Sequence, residues 1–200
     1  MDRMPPFYFL RHGETDWNVE QRLQGGRNVP LNATGRAQAA ANGHVLKALI
    51  EADGHEPAAL DWLSSPLSRA SETMQIARRA MGLVPDDYAT REALRELTFG
   101  SFEGLTLAEL ALVAPEDAAA RDADKWGYEH PGGESYAALS RRIDAFLKTL
   151  SRPAVLVSHG GVLRVVRGLL EGFAREDVPL LDIPQDKVFR FDGRAGAFHG

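Results

Sequence analysis

Two short apolar runs in this chain end in the same way. Residues 7–10 (F-Y-F-L) stop at Arg11, His12 and Gly13, and residues 154–157 (A-V-L-V) stop at Ser158, His159, Gly160 and Gly161. A continuous apolar run of this length, closed by glycine, reads as a strand buried on both faces. Its polar successors then sit at the C-terminal end of the strand, where α/β sheets open their ligand sites.

The intervening chain supplies helices. Ala37, Ala40, Ala41, Val45, Ala48, Leu49 and Ala52 recur at helical spacing after Thr34, which reads as the N-cap, and Gly54 can end that helix. Residues 60–65 (L-D-W-L-S-S) read as a strand stopped by Pro66, and 67–81 as a helix closed by Gly82. Residues 88–97 are mixed in pattern, and Gly100 and Gly104 bracket an irregular segment. Two short helices broken by Pro115 are expected within 106–124. Ser135 caps a helix with an apolar stripe of Leu139, Ile143, Phe146, Leu147 and Leu150, ended by Pro153. A helix over 162–170 follows the 154–157 strand, and from Lys187 on the pattern is a hairpin turning at Asp192 and Gly193. Strands alternating with helices predict an α/β three-layer sandwich. Its central sheet is mainly parallel with helices on both faces, and a small helical insertion at about 100–135 lies over the active site. The 200 residues fit one domain, 1–200.

Composition narrows the chemistry. With no cysteine, thiolate nucleophiles, disulfides and cysteine-ligated zinc are excluded. No histidine pair has the i, i+4 spacing of a metal site, so no metal and no cofactor is expected. A net charge of -5 disfavours nucleic-acid and acidic-membrane partners, so an anionic substrate must be met by a local concentration of cations. No apolar run approaches the ~20 residues of a membrane span or the ~7–15 of a secretory core, which makes the cytoplasm the expected compartment.

Arg11, His12, Arg69 and His159 all fall at or just after strand ends, and Glu96 lies in the segment before the insertion. Their convergence would make an anion pocket, for which arginine suits because its planar fork binds phosphate oxygens bidentately. These residues carry a resemblance. R-H-G-E-T at 11–15, S-S-P-L-S-R-A at 64–70, L-R-E-L-T-F-G-S-F-E-G at 94–104, P-G-G-E-S at 131–135 and S-H-G-G at 158–161 together resemble the histidine phosphatase superfamily, the phosphoglycerate mutase-like proteins. The resemblance implies that His12 is the nucleophile and forms a phosphohistidine. It implies further that Arg11, Arg69 and His159 bind the transferred phosphoryl group and that Glu96 is the proton donor. Asn18, Gln24 and Gly25 fall in the loop where such proteins place phosphate or leaving-group contacts, and Gly160 offers a backbone N–H near a helix start, a favourable place for an anion.

Ordinary readings apply to the remaining candidates. His44, His55, His130 and His199 read as surface or satisfied core histidines, Arg164 and Arg167 as a solvated helix face, and Trp17, Trp62 and Trp126 as packing residues. The Glu96 segment, L-T-F-G-S-F-E-G, resembles the phosphatase branch more than the mutase branch. The expected activity is therefore metal-independent hydrolysis of small phosphorylated metabolites. A cofactor-dependent phosphoglycerate mutase and a catalytically silent phospho-ligand binder are the alternatives, and oligomeric state is left open.

Overall fold

Alternation of side chains divides the first strand between two cores. In β1 (Phe7–Arg11) of the computed structural model, which describes residues 4–200, Phe7 and Phe9 enter one apolar cluster and Tyr8 and Leu10 the other. The same split recurs in β4 (Ala154–Ser158), where Ala154 and Leu156 face one side and Val155 and Val157 the opposite one. Both strands are apolar at every position before their polar ends because each face is covered.

Six strands among the described residues form one sheet in the order β3-β2-β4-β1-β5-β6. β1, β4, β2 (Asp61–Ser64) and β3 (Ala89–Thr90) are mutually parallel. The hairpin of β5 (Val188–Phe191) and β6 (Gly196–His199) adds antiparallel to β1. Asp192 Oδ1 closes its turn by accepting the N–H groups of Arg194 and Ala195. Helices α2 (Ala33–Ala52) and α3 (Ser68–Ala80) cover the Tyr8 and Leu10 face through Leu46, Ile50, Ala70, Met74 and Ala77. The other face is covered by α6 (Tyr136–Leu147) and α7 (Gly160–Glu171), through Leu139, Ile143, Phe146, Val162 and Val166. The remaining α-helices among the described residues are the short α1 (Asp16–Val19), α4 (Leu107–Val113) and α5 (Pro115–Ala123). The fold class is the α/β sandwich expected.

The connection after β1 leads to helices on one face, whereas α7, directly after β4, lies on the other. Adjacent parallel strands whose connections part in this way leave a crevice at their C-terminal ends. Register places Arg11 opposite Ser158, and Ser64 opposite Val157, so three strand ends meet there.

The structure corrects several local expectations. Asn32, and not Thr34, caps α2: its side chain accepts the Gly35 N–H at 2.9 Å, so Thr34 lies inside the first turn. α6 ends at Leu147, well before Pro153. Strand β3 was not foreseen, since two residues are too few to show a period of two. Pro115 does divide α4 from α5, and it does so as an opening residue of α5, where its missing N–H costs nothing.

Candidate active site

His12 lies one residue beyond β1 and is 3 % exposed. Its backbone N–H extends the sheet ladder to Ser158 O at 2.9 Å. Its ring Nδ1 lies 2.7 Å from Gly13 O. A carbonyl can only accept, so Nδ1 carries the proton and Nε2 keeps its lone pair. That lone pair receives the Arg69 Nε–H at 3.3 Å. Gly13 is required by space: a Cβ there would lie 2.2 Å from Gly35 O, where the loop after β1 crosses the start of α2.

Arg69, in the first turn of α3, is fully buried. Its Nη1 donates to Arg27 O at 2.6 Å and Nη2 to Gly25 O at 2.9 Å. The 25–27 loop is itself tied by Glu103, whose Oε1 accepts from Gly26 N at 2.7 Å and from Thr98 Oγ1 at 2.8 Å. Gly25 adopts φ 49°, a left-handed conformation that turns its carbonyl toward the guanidinium without a Cβ penalty.

His159, the residue before α7, is also fully buried, with its ring centroid 5.2 Å from that of His12. Its Nε2 lies 2.7 Å from Ser65 Oγ, and its Nδ1 has no hydrogen-bond partner among the described residues. Arg11 donates from Nη1 to Ile183 O at 2.6 Å, while its Nε is unpartnered. Gly160 abuts this guanidinium, and a Cβ on it would approach Arg11 Nε to 3.3 Å. Glu96 is held by two backbone donors, Leu97 N at 2.9 Å and Gly161 N at 3.1 Å. The five residues expected to converge therefore do so at the C-terminal edge of the sheet.

The supporting residues are tied into the loops around the site. Asn18 Oδ1 accepts from Thr15 N at 3.1 Å in the capping box of α1, and from Gln185 Nε2 at 3.2 Å, so its oxygen organises the loop. Gln24 is buried and donates to Thr15 Oγ1 at 2.8 Å. Gly25 acts by orienting Arg69. Gln185, absent from the sequence-based set, donates to His12 O at 3.0 Å.

Some ordinary readings also change. His130 is 3 % exposed, and its Nδ1–H donates to Glu134 O at 2.7 Å while Nε2 is buried without a partner. It lines a cavity of ≈ 200 Å³ with Leu23, Phe99, Arg121, Tyr136 and Arg164. Arg164 is thus no solvated residue: its Nε donates to Leu181 O at 2.8 Å, and its charge acts on Arg11. Arg167 pairs with Glu171 at 2.8 Å and lies over the Phe173 and Phe198 rings, so it too is only partly exposed. The P-G-G-E-S block beside His130 is the signal that could have drawn attention to it.

Burial, then the charges of Arg69 and Arg11, hold the His12 imidazole well below its ordinary value of 6.5. Burial and then Arg69 and His12 do the same to His159. Burial pushes Arg11 and Arg69 down to about 10, which leaves both charged at neutral pH. The site therefore combines two neutral imidazoles with two guanidiniums, a surplus of positive charge in a chain of net charge -5. Among the described residues no cluster of three or more His, Cys, Asp or Glu has metal-binding geometry. No helix among them is long and apolar enough to cross a membrane.

These depressed values set a stability trend. Below pH 6.5 the unfolded chain protonates both imidazoles, whereas the folded chain resists, so stability falls as pH falls from 6.5 toward the folded values. Each group contributes a slope of up to about 1.4 kcal/mol per pH unit. Urea midpoints in phosphate-free buffer are expected to drop between pH 7 and 5.5, above the carboxylate range, and to drop less in His159→Gln. A midpoint flat across this interval would contradict the neutral, buried pair.

An α/β sheet that gathers two imidazoles and two guanidiniums at its switch point suits a phosphate group. The sequence profile of the histidine phosphatase superfamily (branch 1) matches residues 7–199, and the chain belongs to that family. Phosphoglycerate mutase-like protein 4 of Arabidopsis thaliana is 32% identical over 190 residues, covering 92% of this chain and 79% of that protein. The 6-phosphofructo-2-kinase/fructose-2,6-bisphosphatase of Caenorhabditis elegans is 31% identical over 94% of this chain, which spans only 39% of that longer relative. Among solved structures, a mycobacterial glucosyl-3-phosphoglycerate phosphatase superposes with a TM-score of 0.75 at 29% identity, covering 93% of this chain and 89% of that one.

Proposed function

We propose that this chain hydrolyses phosphomonoesters of small metabolites through a phosphohistidine on His12, without a metal. The observation that carries this reading is the fixed tautomer of His12, whose Nδ1–H is spent on Gly13 O and whose Nε2 lone pair faces Arg69. Relatives named fructose-2,6-bisphosphatase and glucosyl-3-phosphoglycerate phosphatase support it.

In the first step the Nε2 lone pair attacks phosphorus, the ester P–O bond breaks, and Glu96 gives its proton to the departing alkoxide. The positive charge that develops on the ring is stabilised by Gly13 O through the Nδ1–H. Water then loses a proton to Glu96 and attacks phosphorus, the P–N bond breaks, and inorganic phosphate leaves with the Nε2 lone pair restored. Arg11, Arg69 and His159 supply the charge and hydrogen bonds that phosphoryl transfer needs most.

Residues 100–135 act in this reading as a cap on a single domain. Arg121 from α5 lines the cavity with His130 and Arg164, beside Arg11, so the cavity suits a polar leaving group of metabolite size. The proposed setting is the cytoplasm, with neither nucleic acid nor membrane as a partner.

The test is covalent trapping. Protein turning over p-nitrophenyl phosphate or a panel of phosphorylated metabolites in EDTA, quenched in alkali, is expected to carry acid-labile phosphate on the His12 peptide. Turnover abolished by EDTA, or turnover with no phosphate on His12, would overturn the reading.

A further inference from the structure

We infer that Ser65 is a positioning residue that fixes His159 as the Nδ1–H tautomer, so that a neutral imidazole donates a hydrogen bond to the phosphoryl group. The inference rests on the phosphoryl-transfer reading of the site.

The argument follows one proton. Ser65 Oγ lies 2.7 Å from His159 Nε2, and a hydroxyl can donate or accept in such a contact. The Leu67 N–H donates to the same Oγ at 3.3 Å and occupies one of its lone pairs. Among the described residues His159 Nε2 is the one acceptor within reach of the Ser65 proton. If Nε2–H donated instead, the hydroxyl proton would be stranded in a fully buried site, at a cost of about 1–3 kcal/mol. The economical arrangement is Ser65 Oγ–H donating to Nε2, which puts the ring proton on Nδ1.

Nδ1 is also the nitrogen left over. It is buried and unpartnered, on a ring 5.2 Å from that of His12. A lone pair there would repel an anionic phosphoryl oxygen, whereas an N–H would bind it. The site's cationic surroundings hold His159 neutral, so it has a single ring proton and the tautomer decides whether it can donate at all.

The two imidazoles then play opposite parts. His12 spends its Nδ1–H on Gly13 O and offers a lone pair, while His159 receives at Nε2 and offers an N–H. Backbone pairing makes this arrangement precise in space: Ser65 N donates to Val157 O at 2.9 Å, which pins the end of β2 beside β4, the strand that His159 follows.

Long-range ¹H–¹⁵N correlation spectra of the resting protein read which ring nitrogen is protonated. Wild type is expected to show His159 protonated at Nδ1 and bare at Nε2. In Ser65→Ala the proton should redistribute toward Nε2 and kcat should fall about tenfold, or about 1.4 kcal/mol, with little change in KM. Ser65→Thr, which keeps the hydroxyl, should restore the Nδ1–H form. A wild-type His159 protonated at Nε2, or a folded Ser65→Ala that keeps both its tautomer and its kcat, would overturn the inference. The wild-type spectrum needs neither turnover nor a folded variant. Failure of the hydrolase reading would instead appear as absent phosphohistidine with the tautomer intact.

Discussion

His12→Ala is expected to lower phosphomonoester turnover by about 10⁴-fold or more, with the fold retained. Loss of a covalent nucleophile removes the route that divides a difficult hydrolysis into two displacements, and such losses in other enzymes reach this size. Nothing nearby can substitute. His159 is the other imidazole in the site, and its Nε2 is committed to Ser65. Glu96 is held by Leu97 N and Gly161 N and is needed for the proton. Alanine removes the acceptor of the Arg69 Nε–H, but the two other Arg69 bonds, to Arg27 O and Gly25 O, remain to hold that side chain. Binding of inorganic phosphate should therefore survive while turnover collapses. Phosphate release is measured under single-turnover conditions, with circular dichroism as the control for folding. Undiminished release by His12→Ala would end the nucleophile assignment.

Arg69→Lys should be nearly as damaging, lowering kcat/KM about 10³-fold, or about 4 kcal/mol, although it conserves charge. A guanidinium has five N–H donors in a plane. Here single bonds to His12 Nε2, Gly25 O and Arg27 O leave two donors for phosphoryl oxygens. Lysine offers three donors on one nitrogen, too few to replace the three bonds Arg69 already makes and still reach phosphoryl oxygens. Arg69 itself is fully buried, so carbonyls left there without a donor are costly as well. The expected signature is loss of phosphate affinity together with kcat, accompanied by a lower thermal midpoint. Glu103→Gln should echo it weakly, because Glu103 holds the 25–27 loop through Gly26 N. A lysine variant within about threefold of wild-type kcat/KM would show that charge alone suffices at this position.

The fold could be read from the chain wherever the signal was local. The burial of residues 7–10 and 154–157, the break at Pro115, the Ser135 cap and the hairpin at Asp192 each depend on a few consecutive residues. Site residues adjacent to such signals are legible for the same reason: Arg11 closes β1, and His12 and His159 directly follow β1 and β4. Asn18 and Gln24 were assigned outward roles because their partners, Gln185 and Thr15, are set by how loops fold back on one another. Arg164 reads as solvated from sequence because helical spacing says nothing of the distant Leu181 carbonyl that holds it.

Sequence alone indicated the alternation of buried strand and helix and, through five ordered motif blocks, the family; parallel strands then bring Arg11, His12 and His159 to one edge of the sheet whatever the loops do. Tertiary structure decided the protons and the cavity. The Gly13 carbonyl sets which nitrogen of His12 is bare, Ser65 Oγ lies against Nε2 of His159 and leaves Nδ1 without a partner, and Arg121 of α5 lines one cavity with Arg164 and His130. Hydrogen bonds of this kind are fixed over a few tenths of an ångström by groups far apart in the chain, and only packing sets distances that fine.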